Sequence, residues 1–187
     1  MLPVESQPHG GIGVIDRNGT LMVQVVRPIP TVYLAGPISG LLAEDAENWR
    51  DAASDWLWAH NIMVFSPMRH KEYLRGRGIL NGTYEEPLAT LAGIVARDLK
   101  HDVPKCDAIL ANLLGATEVS IGTIIEIALG YYIGKPIIIV IEPGRWSGLG
   151  PERSNPMDHD ILTMGLGAIC VLTLESALET VSGILLP

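Results

Sequence analysis

Thr31-Val32-Tyr33-Leu34-Ala35-Gly36-Pro37-Ile38-Ser39-Gly40 is the stretch whose reading decides the fold. Its first five residues read as a strand apolar on both faces, and the Gly-Pro step that follows ends the strand in a turn. Residues 44–60 come next with helical spacing, placing Trp49, Ala52, Ala53, Trp56 and Leu57 on one face. Residues 62–65 read as a second strand, closed by Ser66-Pro67. The same alternation continues with a helix over about residues 87–101, a strand over 108–113, a helix over 120–133 and a strand over 136–141. A short helix at 158–164, a strand at 168–173 and a closing helix at 174–181 complete the pattern. Strands that are apolar throughout and alternate with helices predict an α/β domain: a doubly wound, flavodoxin-like (Rossmann-like) five-stranded parallel sheet with helices on both faces. Ligands of such sheets bind beyond the carboxyl ends of the strands, where strand order reverses.

Residues 1–30 differ in character, with two short apolar runs flanking Asn18-Gly19, and predict an N-terminal β-hairpin. That leaves residues 31–187 as one catalytic-size domain, long enough to bury a core without disulfides or structural metals. With 13 basic against 21 acidic residues and no basic run, attraction to a nucleic acid polymer or an anionic membrane is not expected, and the partner should be a small molecule. Cys106 and Cys170 lack any metal or redox spacing and suit a reducing compartment. No run is long enough to cross a bilayer and no secretory leader is read at the start, so a cytoplasmic location is expected. His60, His70, His101 and His159 have no ligand spacing, so neither a catalytic metal nor any other cofactor is expected. Residues 69–86 are polar and glycine-bearing, a composition that leaves a lid and disorder both open.

Ser120-Ile121-Gly122-Thr123-Ile124-Ile125-Glu126 carries the chemistry. Ser120 suits an N-cap, and the free amides at a helix start favour an anion or polar sugar oxygens. At 100° per residue, Ile121, Ile124, Ile125, Ala128 and Leu129 form one stripe, with Glu126 beside it in line with Gly122. A carboxylate next to a glycine vacancy suits a nucleophile or base, although an early-helix Glu is equally an ordinary partner of the helix dipole. By periodicity Asp98 ends its helix and could be simply solvated and paired. Asp107 begins its strand and reads as structural, whereas Asn112 lies near the ligand end, where it could touch a ligand or cap the loop.

Taken in order, Tyr33-Leu34-Ala35-Gly36-Pro37, Asp98-Leu99, Asp107-Ala108-Ile109-Leu110-Ala111-Asn112, Gly122-Thr123-Ile124-Ile125-Glu126 and Gly134-Lys135-Pro136 resemble the nucleoside 2-deoxyribosyltransferase superfamily. The resemblance implies that Glu126 attacks the anomeric carbon to form a glycosyl-enzyme, that Tyr33 orients Glu126, and that Asp98 helps protonate the leaving base. Gly36, Pro37, Ile38, Asn112, Ser120 and Gly122 lie in the loops and helix start beyond the strands and are the candidate substrate contacts, and the resemblance implies that Asn155 contacts the sugar's 5' end. Asn155-Pro156-Met157 is similar to the family's late Asn-x-Met, which in its transferases reaches a neighbouring subunit's active site, so a homo-oligomer with shared sites is implied for Asn155 and Met157. An oxocarbenium-like transition state needs this pairing of a nucleophile with a proton source at the departing nitrogen.

One position departs from the pattern: Ser120 stands where the best known transferases carry an acidic residue, and is similar to the phosphate-binding Ser of the deoxynucleoside 5'-monophosphate N-glycosidases. Exchange of bases between deoxynucleosides is the first expectation, hydrolysis of a 5'-monophosphate the second. A phosphoribohydrolase of cytokinin nucleotides ranks behind both, since Val119-Ser120-Ile121 replaces its glycine pair. A non-catalytic nucleotide sensor is the reading from another class. A redox flavodoxin would need more hydroxyls in the first turn than Gly36-Pro37-Ile38-Ser39-Gly40 supplies.

Overall fold

The computed structural model describes residues 11–15, 21–25, 28–149 and 155–187. Strands β1 (Gly11–Ile15) and β2 (Leu21–Val25) pair antiparallel as the expected hairpin, and the Asn18-Gly19 turn lies outside the described residues. The remaining strands are β3 (Thr31–Ala35), β4 (Met63–Phe65), β5 (Ala108–Asn112), β6 (Ile137–Val140) and β7 (Ile169–Val171). They form one parallel sheet in the order β4-β3-β5-β6-β7. Within the sheet this is the flavodoxin-like order 2-1-3-4-5, whose reversal point lies between β3 and β5.

Side-chain alternation divides the core in two, because successive strand residues point to opposite faces. Tyr33, Ala35, Ile109, Ala111, Ile137 and Ile139 face one layer, built by α4 (Ile121–Tyr132) and a continuous helix from Leu91 to Lys105. Val32, Leu34, Ala108, Leu110, Ile138 and Val140 face the other, built by α1 (Ala43–Ala59) and α5 (Leu174–Leu185). The Leu91-to-Lys105 helix is α-helical at its ends, α2 (Leu91–Ile94) and α3 (Val103–Lys105), and π-helical over Val95–Asp102. It therefore runs past the expected stop near residue 101, and Asp98 lies in its middle rather than at its end.

The reading of α4 is corrected as well. The stripe read along α4 is only partly buried: Ile124 and Leu129 pack on the core, but Ile121 and Ile125 are 64% and 46% exposed, while Thr123, Glu126, Ile127 and Gly130 face the sheet. Gly130 sets this rotation, because a Cβ there would meet Ile109 Cδ1 at 2.2 Å, and only a glycine lets the helix lie so close to the strand. Residues 69–86 form an ordered wall. Met68, Leu74 and Leu80 bury themselves against Ala43 and Ala46 of α1 as a third small core, and main-chain hydrogen bonds join Gly40 to Leu80 and Leu80 to Leu41.

Candidate active site

The turn after β3 and the start of α4 face each other across a cavity of about 270 Å³ at the carboxyl end of the sheet. Gly36, Pro37, Ile38 and Ser39 form one side, and Glu118 through Thr123 the other. The wall made by residues 69–86 contributes Lys71, Leu74, Asn81, Gly82 and Tyr84. Ile94 and Asp98 approach from the π-helical side, and Glu126 lies at the floor.

Glu126 is 8% exposed and accepts a 2.7 Å hydrogen bond from the Tyr33 hydroxyl. Burial pushes its carboxyl up to about 7, with the Tyr33 hydrogen bond and the Arg50 and Lys71 cations pulling the other way and the Asp98 charge adding to the rise. Burial and the two carboxylates raise the Tyr33 phenol well above its ordinary value, so it remains a donor. Asp98, 2% exposed, pairs with Arg97 Nε at 2.7 Å. Arg97 in turn donates to the carbonyls of Pro67 and Arg69, tying the loop after β4 to the same helix.

Ser120 occupies the N-cap position of α4, yet its side chain makes no capping bond to a backbone amide; the hydroxyl instead pairs with Thr123 Oγ1 at 2.9 Å. Gly122 has nothing within 4 Å of where a Cβ would be, so the space above Glu126 is open.

Of the residues singled out by sequence, Gly36, Pro37, Ile38, Asp98, Ser120, Gly122 and Glu126 line this cavity, and Tyr33 reaches it through Glu126. Asn112, Asn155 and Met157 are not brought to it. The Asn112 side chain accepts from the Leu114 amide and borders a neighbouring hollow. Asn155 is buried within this chain, its amide donating to the Leu113 carbonyl at 2.7 Å and to Glu142 at 2.6 Å. Met157 packs in the core, where its sulfur accepts from the Ser120 amide at 3.3 Å. These bonds make the Asn-x-Met segment a support behind the α4 start within this chain. Asp107 accepts from the Thr31 amide at 2.8 Å, at the opposite end of the sheet.

Arg50 and Lys71 went unread in the sequence. Arg50 of α1 is fully buried, donates to the Leu34 and Gly36 carbonyls, and lies over the Trp49 ring at 4.4 Å. Burial lowers its guanidinium to about 10, the Glu126 charge opposing that fall. Its position is the available signal, since Ala46, Arg50, Ala53 and Leu57 share the buried face of α1. Gly36 fits the same cluster: its φ is +156°, and a Cβ would meet the Asn112 carbonyl at 2.7 Å and Arg50 at 3.3 Å.

A flavodoxin-like α/β protein with a small-molecule cleft over a buried carboxylate–tyrosine pair is the class that this fold and site define. The family model described as nucleoside 2-deoxyribosyltransferase matches residues 32–159, and the chain belongs to that family. No curated protein matches the sequence. Among solved structures, a conserved protein from Enterococcus faecalis superposes with a TM-score of 0.59 at 18% identity, over 84% of this chain and 100% of its own. The molybdenum cofactor binding protein from the phototrophic bacterium Rippkaea orientalis gives a TM-score of 0.52 at 16% identity, over 86% of this chain and 100% of its own. A 2-deoxyribosyltransferase from the psychrotolerant bacterium Bacillus psychrosaccharolyticus gives 0.42 at 20% identity, over 59% of this chain and 72% of its own. At these identities the first two likenesses are of fold.

Proposed function

We propose that this chain cleaves the N-glycosidic bond of a 2'-deoxynucleoside through a covalent glycosyl-Glu126 intermediate and passes the deoxyribose to a second nucleobase. The observation that carries the reading is the Tyr33–Glu126 hydrogen bond at the floor of the cleft. A carboxylate oriented by one donor and buried against an apolar wall is a poor structural element but a good nucleophile for an oxocarbenium-like carbon. Glu126 Oε attacks C1', the C1'–N bond breaks, and its electron pair leaves with the base. The second base then attacks C1' and releases Glu126. Asp98 faces the base from the π-helical side.

Glu118 at the cleft mouth supports a neutral 5' end, because a carboxylate there opposes a phosphate. Ser120 and the open α4 amides favour a second reading, 5'-monophosphate hydrolysis with water as acceptor. Chromatography with deoxyadenosine or deoxycytidine, each with and without a second free base and beside the matching monophosphates, tests both. New deoxynucleoside that needs the acceptor supports transfer, base released chiefly from monophosphates supports the hydrolase, and binding without product supports a sensor.

The reading includes a homo-oligomer. Its support is the apolar outer face of α4, where Ile121, Ile125, Tyr131 and Tyr132 are exposed beside a cavity of about 330 Å³ lined by Val119, Ile124 and Ile161. Among the described residues, no helix is long and apolar enough to cross a membrane.

A further inference from the structure

Arg50 is a cation that α1 carries into the interior, 1% exposed on the same face as Ala46, Ala53 and Leu57. Its guanidinium reaches the carboxyl end of β3, donating through Nε to the Leu34 carbonyl at 3.4 Å and through Nη2 to the Gly36 carbonyl at 2.8 Å. Nη1 bonds the Ala46 carbonyl of its own helix. The donors of one rigid plane thus fix a strand end, the turn beyond it and the first half of α1 in a single geometry. That turn belongs to the cleft. Gly36 is followed by Pro37, Ile38 and Ser39, which form one side of it, and Leu34 adjoins Tyr33, whose hydroxyl bonds Glu126.

Hydrogen bonding alone does not call for a charge at this position. A neutral amide side chain would satisfy main-chain carbonyls without the cost of burying a cation. The charge has a counterpart in Glu126, which leads the groups that hold Arg50 protonated, ahead of Tyr33 and Asp98. The relation is reciprocal. The groups facing Glu126 come from four parts of the chain: Tyr33 on β3, Asp98 on the π-helical stretch, Arg50 on α1 and Lys71 on the wall, with Arg50 the stronger of the two cations.

We infer that Arg50 is a positioning residue for the reaction of the cleft: one guanidinium holds the Gly36–Pro37 turn against α1 and sets a fixed positive charge beside the Tyr33–Glu126 pair. This inference rests on the glycosyl-transfer reading of Glu126. Arg50 acts through the turn and through the carboxylate, not on the sugar or the base. The turn sets the wall that faces Glu118 and Ser120 across the cleft. The charge favours the carboxylate form of Glu126 before it attacks C1' and again when it departs from C1' in the second half of the cycle. A lysine at this position would keep the charge but would not span both carbonyls with the planar fork.

The test separates the two roles with Arg50→Lys, which keeps the charge and loses the fork, and Arg50→Gln, which keeps an amide donor and loses the charge. In the full chain, without substrate, the Glu126 carboxyl is titrated by carbon NMR of glutamate labelled at the side-chain carboxyl, its signal assigned by its loss in Glu126→Gln. The wild-type carboxyl should titrate at about 7, that of Arg50→Gln at least about half a pH unit higher, and that of Arg50→Lys within about 0.3 of wild type. Base exchange on deoxyadenosine is then followed over pH. The acid limb of kcat/KM should move up in Arg50→Gln alone, and the plateau of Arg50→Lys should fall at least about tenfold, chiefly through KM. A role confined to packing would lower activity in both variants and leave the titration unmoved. A wild-type titration in Arg50→Gln, or a wild-type plateau in Arg50→Lys, would overturn the assignment. If Arg50→Gln does not fold, Arg50→Lys decides alone: a plateau loss with an unmoved titration upholds the assignment, and a wild-type plateau overturns it. A shifted titration in a chain whose wild type exchanges no base removes the transfer reading and leaves Arg50 as the charge partner of Glu126, whereas exchange with an unmoved titration removes this assignment alone.

Discussion

Tyr33 and Glu126, 93 residues apart in the chain, meet through a 2.7 Å hydrogen bond because Tyr33 of β3 points to the face of the sheet that α4 covers. Burial raises the carboxyl and the phenol bond restrains that rise, so in the proposed reaction the pair sets the pH at which Glu126 is free to attack. With Glu126 at about 7, wild-type kcat/KM should fall as the pH drops through that value. Tyr33→Phe should move this acid limb to higher pH and reduce kcat/KM by about 10- to 100-fold, the size expected for a lost hydrogen bond to a charged group. A pH–rate profile of both proteins checks it, and an unmoved limb would separate Tyr33 from the nucleophile.

The same burial has a thermodynamic consequence of fixed sign. A carboxyl whose value is raised on folding contributes stability that is complete below its unfolded value, and loses it as the pH rises through about 7. Glu126→Gln should therefore be more stable than wild type at pH 8, by on the order of 3 kcal/mol, and match it below about pH 4.5. Urea titrations at the two pH values read this directly. A variant less stable than wild type at pH 8 would mean that the ionised carboxylate is compensated by its surroundings.

Gly36 carries a structural prediction. Gly36→Ala forces a Cβ against the Asn112 carbonyl and the Arg50 guanidinium, with φ in a region that side chains avoid. The expected cost is about 1–3 kcal/mol, lowering Tm by several degrees, with a larger fall in kcat than in stability because the Pro37 turn moves. Calorimetry and turnover on one preparation separate the two effects.

The outer face of α4 predicts assembly. Ile125→Asp places a charge on the exposed apolar stripe, and sedimentation should then show a smaller species than wild type. An unchanged sedimentation coefficient would put the contact elsewhere.

What the sequence revealed, and what it hid, follows from burial. Residues 31–35 and 108–112 are apolar on both faces, so their strand character and central place in a parallel sheet are readable without tertiary knowledge. The helix start is readable from Ser120, which does occupy the N-cap position although its hydroxyl bonds Thr123 rather than a backbone amide. The orientation of α4 is not, because an isoleucine stripe is normally the core face, and here Gly130 and Thr123 turn the Glu126 side inward. Arg50 shares the buried register with Ala46 and Ala53, but a charged residue in that register is read as an exception to the pattern rather than as part of a site. Lys71 has no local signal at all, since its burial arises only when Leu74 and Leu80 pack on α1. Asn155 belongs to a motif readable in the sequence, but its bonds to Leu113 and Glu142 join residues 42 and 13 positions away and carry no local signal.

Whether Glu126 carries the sugar can be read by trapping the glycosyl-enzyme. The full chain is incubated with a 2'-deoxy-2'-fluoro nucleoside, whose fluorine slows breakdown of a glycosyl ester, and intact and peptide mass spectra are then recorded. The expected result is one fluorinated pentosyl group per chain on the peptide containing Glu126, discharged by adding a free base and absent in Glu126→Ala. Base release with no adduct at any time, or an adduct that persists in Glu126→Ala, would contradict a glycosyl-Glu126 intermediate.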